Sequence, residues 1–185
     1  AAVVTSSETI ASNNNNTTLP TSAAVKSYAD TAIAAIQQFL HVRDQKASGT
    51  DAGTFTSGSY VTRTLNNTQT NTISGASLAS NRITLPAGTY RILASVPAYR
   101  VNAHKAILYN VTGAATTKVG TAESAPNGAA AVTRSMVSGQ FTLGVTSELE
   151  IRHRCQTSFA TNGFGAASSF GDNEVYTDVM IWKVS

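Results

Sequence analysis

Charge is scarce in this chain: only 12% of its 185 residues are Asp, Glu, Lys or Arg, about half the usual share of roughly 25%. The formal charge is +3, but the basic residues are scattered, with no Lys/Arg run and no interleaved aromatics. A surface that tracks nucleic-acid phosphates is therefore not expected. One cysteine, Cys155, excludes an intrachain disulfide. No run of apolar residues is long enough to span a bilayer, so membrane insertion is not expected. No phosphate-cradling Gly loop or dinucleotide fingerprint occurs, and no cofactor is expected. Thr, Ser, Asn, Ala and Gly take up the composition instead, a mixture common in β structures that stay soluble without strong fields. At this length a chain buries roughly 70% of its unfolded surface without needing a metal or disulfide. The opening Ala1-Ala2-Val3-Val4, without Met, leads to the expectation that the chain is part of a longer polypeptide.

Leu85 to Val96 sets the pattern for most of the chain. Pro86 and Gly88 form a turn. Beyond it Tyr90, Ile92, Ala94 and Val96 alternate with Thr89, Arg91 and Ser95, as in a half-buried strand. Similar segments are expected over 54–65, 66–74, 82–85, 105–111, 116–121, 132–145, 148–157 and 175–184. Leu149, Ile151, His153 and Cys155 share one face of their strand, and Glu148, Glu150, Arg152, Arg154 and Gln156 the other. The last strand is apolar on both sides. Tyr176, Met180, Trp182 and Val184 line one, and Val175, Val179 and Ile181 the other, which points to a neighbouring subunit. Short strands with Gly, Pro and Asn breaks imply an all-β sandwich or jelly roll.

Before the strands the chain changes character. Residues 1–20, with Asn13 to Asn16, read as a flexible or extended connector. Thr18 or Thr21 can cap a helix, Pro20 suits its first turn, and Ala23 to Leu40 lacks Gly and Pro. Val25, Ala29, Ala32, Ile36 and Phe39 form a heptad seam. The sequence thus divides into a connector (1–20), a helical trimerisation stalk (21–40), a hinge (41–53) and a β-sandwich head (54–185).

Four chemical readings compete with blander ones. Cys155 and His153 lie two apart on a strand, their Cβ atoms roughly 6.6 Å apart, beyond easy nucleophile–base contact. A buried, inert pair is favoured. Glu148 and Glu150, roughly 6.5–7 Å apart, meet the spacing of an inverting glycosidase. Arg152 and Arg154 continue the row, and charge pairing accounts for all four. Asp172 and Glu174 fall short of a calcium ligand set. His104 and His153 would be the candidates for a metal on a threefold axis, a structural histidine being the preferred reading of each. No catalytic or metal-ligating residues are therefore assigned, and the chain is not expected to be an enzyme.

Leu19-Pro20-Thr21-Ser22-Ala23-Ala24-Val25-Lys26-Ser27-Tyr28 resembles the junction in bacteriophage tail-fibre proteins that leads into a short trimerising helix. The segments His41-Val42-Arg43-Asp44, Asn71 to Ala76, Leu85 to Tyr90, Leu108 to Val111, Glu174-Val175-Tyr176 and Ile181-Trp182-Lys183 resemble the C-terminal heads that follow such stalks. Those heads are similar to the C1q and tumour-necrosis-factor jelly roll, a homotrimer of ten-stranded sandwiches. The collagen-like repeat that precedes many C1q heads is missing, and a helix stands in its place. The resemblance implies a C1q/TNF-like jelly-roll head behind a trimeric coiled coil, placed at the distal end of a virion's tail fibre. Its implied partners are further copies of itself, the rest of the fibre, and a host-surface glycan or outer-membrane component.

Counting antiparallel strands back from the last one places 97–104, 122–131 and 158–173 at one end, and 112–115 and 144–147 at the other. The first set carries Tyr99, Arg100, Asn102, His104, Asn127, Asn162 and Phe164, with Phe159 and Phe170 nearby. Aromatic faces, amides and a guanidinium suit a saccharide. Receptor attachment through these tip loops is the expected function. A purely structural fibre cap and, more remotely, a polysaccharide depolymerase or a signalling module are the alternatives.

Overall fold

The computed structural model describes residues 2–4, 18–36 and 38–184, in two compact units that divide after Gln38. In the first unit, β1 (Ala2–Val4) and β2 (Thr18–Pro20) form a short parallel pair. The remainder of the expected connector, including Asn13 to Asn16, lies outside the described residues. Helix α1 (Ser22–Ile36) follows. Thr21 is its N-cap: the Thr21 Oγ1 accepts the Ala24 N–H at 3.2 Å. On α1 Val25, Tyr28 and Ile33 are each about half exposed, at 47%, 52% and 52%. Ala29 is half-buried and Ala32 exposed. The Ile36 side chain lies outside the described residues.

Phe39 does not continue the helical seam. It opens strand β3 (Phe39–Lys46), so neither a helix to Leu40 nor a hinge from His41 exists. The reason is a change of period from helical to two. Leu40, Val42 and Asp44 are buried, while Phe39, His41 and Arg43 alternate with them. The mixed charge of this segment suggests a hinge, but it belongs to the exposed side of a strand and to one buried carboxylate.

The second unit is a two-sheet sandwich. Its further strands are β4 (Val61–Thr62), β5 (Asn67–Asn71), β6 (Ser77–Ala79), β7 (Arg82–Leu85), β8 (Gly88–Tyr99) and β9 (Asn102–Asn110). They are followed by β10 (Ala115–Ala125), β11 (Val132–Leu143), β12 (Ser147–Cys155) and β13 (Glu174–Lys183). One sheet runs β11-β8-β13-β3-β5 and the other β10-β9-β12-β7-β6, with β4 on the edge of β12. All pairings within these two sheets are antiparallel. From β7 to β13 the chain crosses between the sheets at every step except the β9–β10 hairpin, which is jelly-roll wiring.

The core between the sheets draws on the inward residues of both. Tyr90, Ile92, Ala94 and Val96 of β8 meet Leu149 and Ile151 of β12, Leu108 of β9 and Val179 and Ile181 of β13. Along β13 a register shift between Val175 and Asp178 interrupts simple alternation. Tyr176 therefore turns inward with Val179 and Ile181, and does not share the face of Met180 and Trp182. The expected strand over 54–65 shrinks to Val61–Thr62 and one bridge from Phe55 to Phe159.

Register fixes which loops share an end. Phe39 opposes Trp182 and Gly88 opposes Leu143 at the end called the base. Tyr99 opposes Val132, Asn102 opposes Ala125 and His104 opposes Cys155 at the other, the apex. Loops 100–101, 126–131 and 156–173 all lie at the apex, and loops 111–114 and 144–146 at the base.

Candidate functional site at the apex

The apex loops are held by a second, smaller core. Phe55, Ala98, Val101, Cys155, Phe164 and Tyr176 are buried together there. The Phe164 ring lies 4.5 Å from that of Phe55. Arg63, fully buried, crosses this core and fastens three elements at once. Its Nε donates to Thr177 Oγ1 at 2.9 Å, one terminal nitrogen to the Pro97 carbonyl at 3.2 Å, and the other to the Phe164 carbonyl at 3.0 Å. Its guanidinium also sits 4.0 Å over the Phe164 ring. Burial pulls the Arg63 pKa below its ordinary value, with Asp44 opposing the shift.

The long loop 156–173 is stapled along its length. Phe55 and Phe159 exchange backbone hydrogen bonds, Gly163 accepts from the Tyr99 N–H at 2.9 Å, and Gly165 accepts from Ala52 at 3.0 Å. A Cβ on Gly163 would stand 2.4 Å from the Phe159 carbonyl, so no larger residue fits there. Glu174 closes the loop. Its carboxylate accepts the Gly49, Ser168 and Ser169 N–H groups and the Ser168 hydroxyl. Those backbone donors drop its pKa to about 2. With its oxygens so engaged, Glu174 is a loop clamp, and the calcium reading with Asp172 has no support in its geometry.

On this frame stands an aromatic–guanidinium cluster. The Tyr99 and Phe159 rings meet edge to face at 5.6 Å. The Arg100 guanidinium lies 4.9 Å from the Phe159 centroid and 6.0 Å from that of Tyr99. Arg100 Nε donates to the Asn127 carbonyl at 2.7 Å, and among the described residues its two terminal nitrogens have no hydrogen-bond partner. Asn102 braces the turn: its amide donates to Thr157 Oγ1 at 3.0 Å, and its carbonyl accepts the Asn127 N–H at 3.0 Å. Arg100 and Asn102 both adopt left-handed backbone, at φ 53° and 57°, and the buried Val101 between them pins the turn. The outcome is a fixed surface that presents a phenol, a half-free guanidinium, the Asn127 side chain and part of Phe159.

Three of the expected contacts are corrected. Phe164 is only 8% exposed and belongs to the apex core. Asn162 has a buried side-chain oxygen without a partner and does not display its amide carbonyl. His104 is only 3% exposed: its Nδ1 lies 2.9 Å from His153 Nε2, and its Nε2 lies 2.7 Å from Thr133 Oγ1. Desolvation lowers both histidine pKa values, that of His104 to about 4. The two rings hold each other inside one sandwich, so neither points to a threefold axis as a ligand. Arg63 and Thr157, which hold the site in place, have no motif to mark them. Thr62-Arg63-Thr64 reads as an ordinary alternating strand, and only the fold shows that Arg63 points inward.

The other candidate chemistries also take definite form. Burial pushes the Cys155 thiol up to about 11, and His153 Nε2 is committed to His104. Glu150 bonds Arg82 at 2.9 Å, Arg152 at 2.6 Å and Thr62 at 3.0 Å, and Glu148 bonds Arg82 at 2.8 Å. Burial alone would raise the Glu150 pKa, but the hydrogen bonds from Arg152, Arg82 and Thr62 hold it below the usual carboxylate value. Arg82 supplies the partner expected of Arg154, which makes no ion pair among the described residues.

No family model matches the chain, and no curated protein matches it in sequence. Among solved structures the chain is similar to murine APRIL at pH 5.0, with TM-score 0.48, 13% identity, and coverage of 80% of this chain and 98% of that one. It is similar also to the globular domain of zebrafish complement 1qA protein, with TM-score 0.47, 11% identity, and coverage of 80% and 97%. The jelly-roll assignment stands on the strand order and registers above.

Proposed function

We propose that this chain is the receptor-binding tip of a fibre, a homotrimeric adhesin of bacteriophage tail-fibre type whose apex loops engage a host-surface glycan. The observation that carries this reading is the Tyr99–Arg100–Phe159 cluster. Two aromatic rings and a guanidinium with unused donors are fixed in place before any ligand arrives. Stacking on sugar C–H faces and directed hydrogen bonds from Arg100 and Asn127 are the chemistry such a surface offers. Preorganisation limits the entropy lost on binding, and three copies per fibre would multiply a weak contact.

Self-association is supported by the outer face of the β11-β8-β13-β3-β5 sheet. There the Phe39 and Trp182 rings lie 5.2 Å apart, and Trp182 is 37% exposed. Met180 and Leu93, paired across β13 and β8, extend this apolar patch. The exposed apolar residues of α1, Val25, Tyr28 and Ile33, supply a second surface for like copies. The phage assignment rests on the likeness of Leu19 to Tyr28 to the fibre junction.

A glycan array probed with the intact protein tests the reading. Binding to a defined glycan set that Tyr99→Ala and Arg100→Ala each weaken by about tenfold, with sedimentation unchanged, is the expected result. A blank array leaves the head as a structural cap, and full retention of binding in both variants removes the apex cluster as the glycan site.

A further inference from the structure

We propose that a groove on the outer face of the β10-β9-β12 sheet, separate from the apex cluster, binds an acidic sugar residue. The groove holds about 640 Å³ and is open to solvent. Among its lining residues are Ser57, Tyr60, Lys105, Glu123, Arg154 and Gln156. Its central feature is a like-charge pair. Lys105 of β9 and Arg154 of β12 are direct cross-strand partners, a relation that puts their Cβ atoms about 4.5–5.5 Å apart and is destabilising for equal charges.

The rest of this face is neutralised. Glu148 is taken by Arg82, and Glu150 by Arg82 and Arg152, at 2.6–2.9 Å. Arg152 additionally covers the Tyr109 ring at 3.6 Å. The row of charges thus balances until its apex end, where Lys105 and Arg154 make no ion pair among the described residues. Among the described residues Glu123 is the one carboxylate lining the groove, and it makes no ion pair with either. Two uncompensated cations on a rigid sheet define a place for an anionic group, and a guanidinium favours a planar carboxylate with two oxygens.

Tyr60 and the polar rim turn an anion site into a sugar site. Tyr60 is 37% exposed and lines the groove next to β4, which pairs with β12. Ser57 is held by Ser158, through a 2.9 Å bond to its N–H and a 3.0 Å hydroxyl contact, so this wall is fixed. Gln156 leaves its amide N–H₂ for a ligand while its carbonyl faces the Ala103 N–H at 3.4 Å. A uronic acid fits this arrangement: carboxylate between Lys105 and Arg154, ring face toward Tyr60, hydroxyls toward Gln156.

Isothermal titration of the full chain with trigalacturonate, maltotriose and inorganic sulfate tests this. Trigalacturonate is expected to bind, more weakly as salt rises, with maltotriose inert. Arg154→Gln and Lys105→Gln should each weaken binding about tenfold while leaving the melting temperature equal or higher, since each relieves repulsion. Glu123→Gln should tighten binding. Arg100→Ala should leave it unchanged, so this site stands or falls apart from the apex. Retained affinity in both cation variants, equal affinity for maltotriose, or binding of sulfate without the trisaccharide overturns the proposal.

Discussion

Arg63 carries the heaviest demand at the scale of single residues. Its side chain satisfies Thr177, Pro97 and Phe164 and faces the buried carboxyl of Asp44, whose pKa burial raises. Arg63→Ala would strand these acceptors and leave Asp44 with Lys46, 3.7 Å away, as its neighbouring cation, at a cost of about 3–5 kcal/mol. Urea unfolding followed by tryptophan fluorescence measures it. Phe164→Ala should cost a similar 3–5 kcal/mol through the cavity it opens. Its effect on glycan binding would follow loss of the folded apex and not a lost contact. The histidine pair sets an acid limit. His104 and His153 are depressed in the folded state by burial, so the unfolded chain binds more protons as pH falls below the ordinary histidine value of about 6.5. Stability is therefore full above that pH and falls as pH drops towards about 4, the folded value for His104. Glu174 adds a further loss below the usual carboxylate pKa, towards about 2. Denaturation midpoints taken from pH 7.5 to 4 should decline. His104→Asn should flatten the upper part of that decline.

Among the elements, the 156–173 loop depends most on a single small residue. A methyl on Gly163 would meet the Phe159 carbonyl at 2.4 Å and Phe55 at 2.8 Å. Gly163→Ala should therefore destabilise by about 1–3 kcal/mol. Hydrogen exchange should rise at Phe55 and Tyr99, whose amides bond into this loop, before it rises in the rest of β8. Helix α1 depends on its cap. Thr21→Ala removes the Thr21–Ala24 bond and should weaken the helix by about 1 kcal/mol, seen as lost ellipticity at 222 nm. The exposed Lys26–Asp30 pair, at 2.6 Å, contributes only a few tenths of a kcal/mol and is screened by salt.

For the whole molecule the question is how many chains it takes to cover the apolar faces. Trp182, Met180, Leu93 and Phe39 form a continuous apolar patch on one sheet, of the kind that marks an interface. Trp182→Glu should convert the proposed trimer to single chains in sedimentation velocity, with the far-ultraviolet spectrum of the sandwich retained. If the unaltered protein already sediments as one folded chain, both the trimer and the multiplied attachment it supports are lost.

How much could be read in advance follows from what each feature depends on. The sandwich, most strands and the gathering of loops 97–104, 122–131 and 158–173 at one end were legible, because alternation and turn residues are local and strand parity follows from counting. Phe39 at the helix boundary was misread because a +3 helical step and the first outward position of a strand coincide there. Tyr176 was misread because one bulge reverses parity without changing composition. His104 and Phe164 share a loop end with Tyr99 and Arg100, yet only packing against His153, Phe55 and Arg63 turns them inward. The amino-acid order by itself determined which faces are apolar and where the chain turns. Tertiary structure alone decided which polar side chains are spent on one another, leaving Arg100 at the apex and Lys105 with Arg154 in the groove, because pairing depends on distances between residues far apart in the chain.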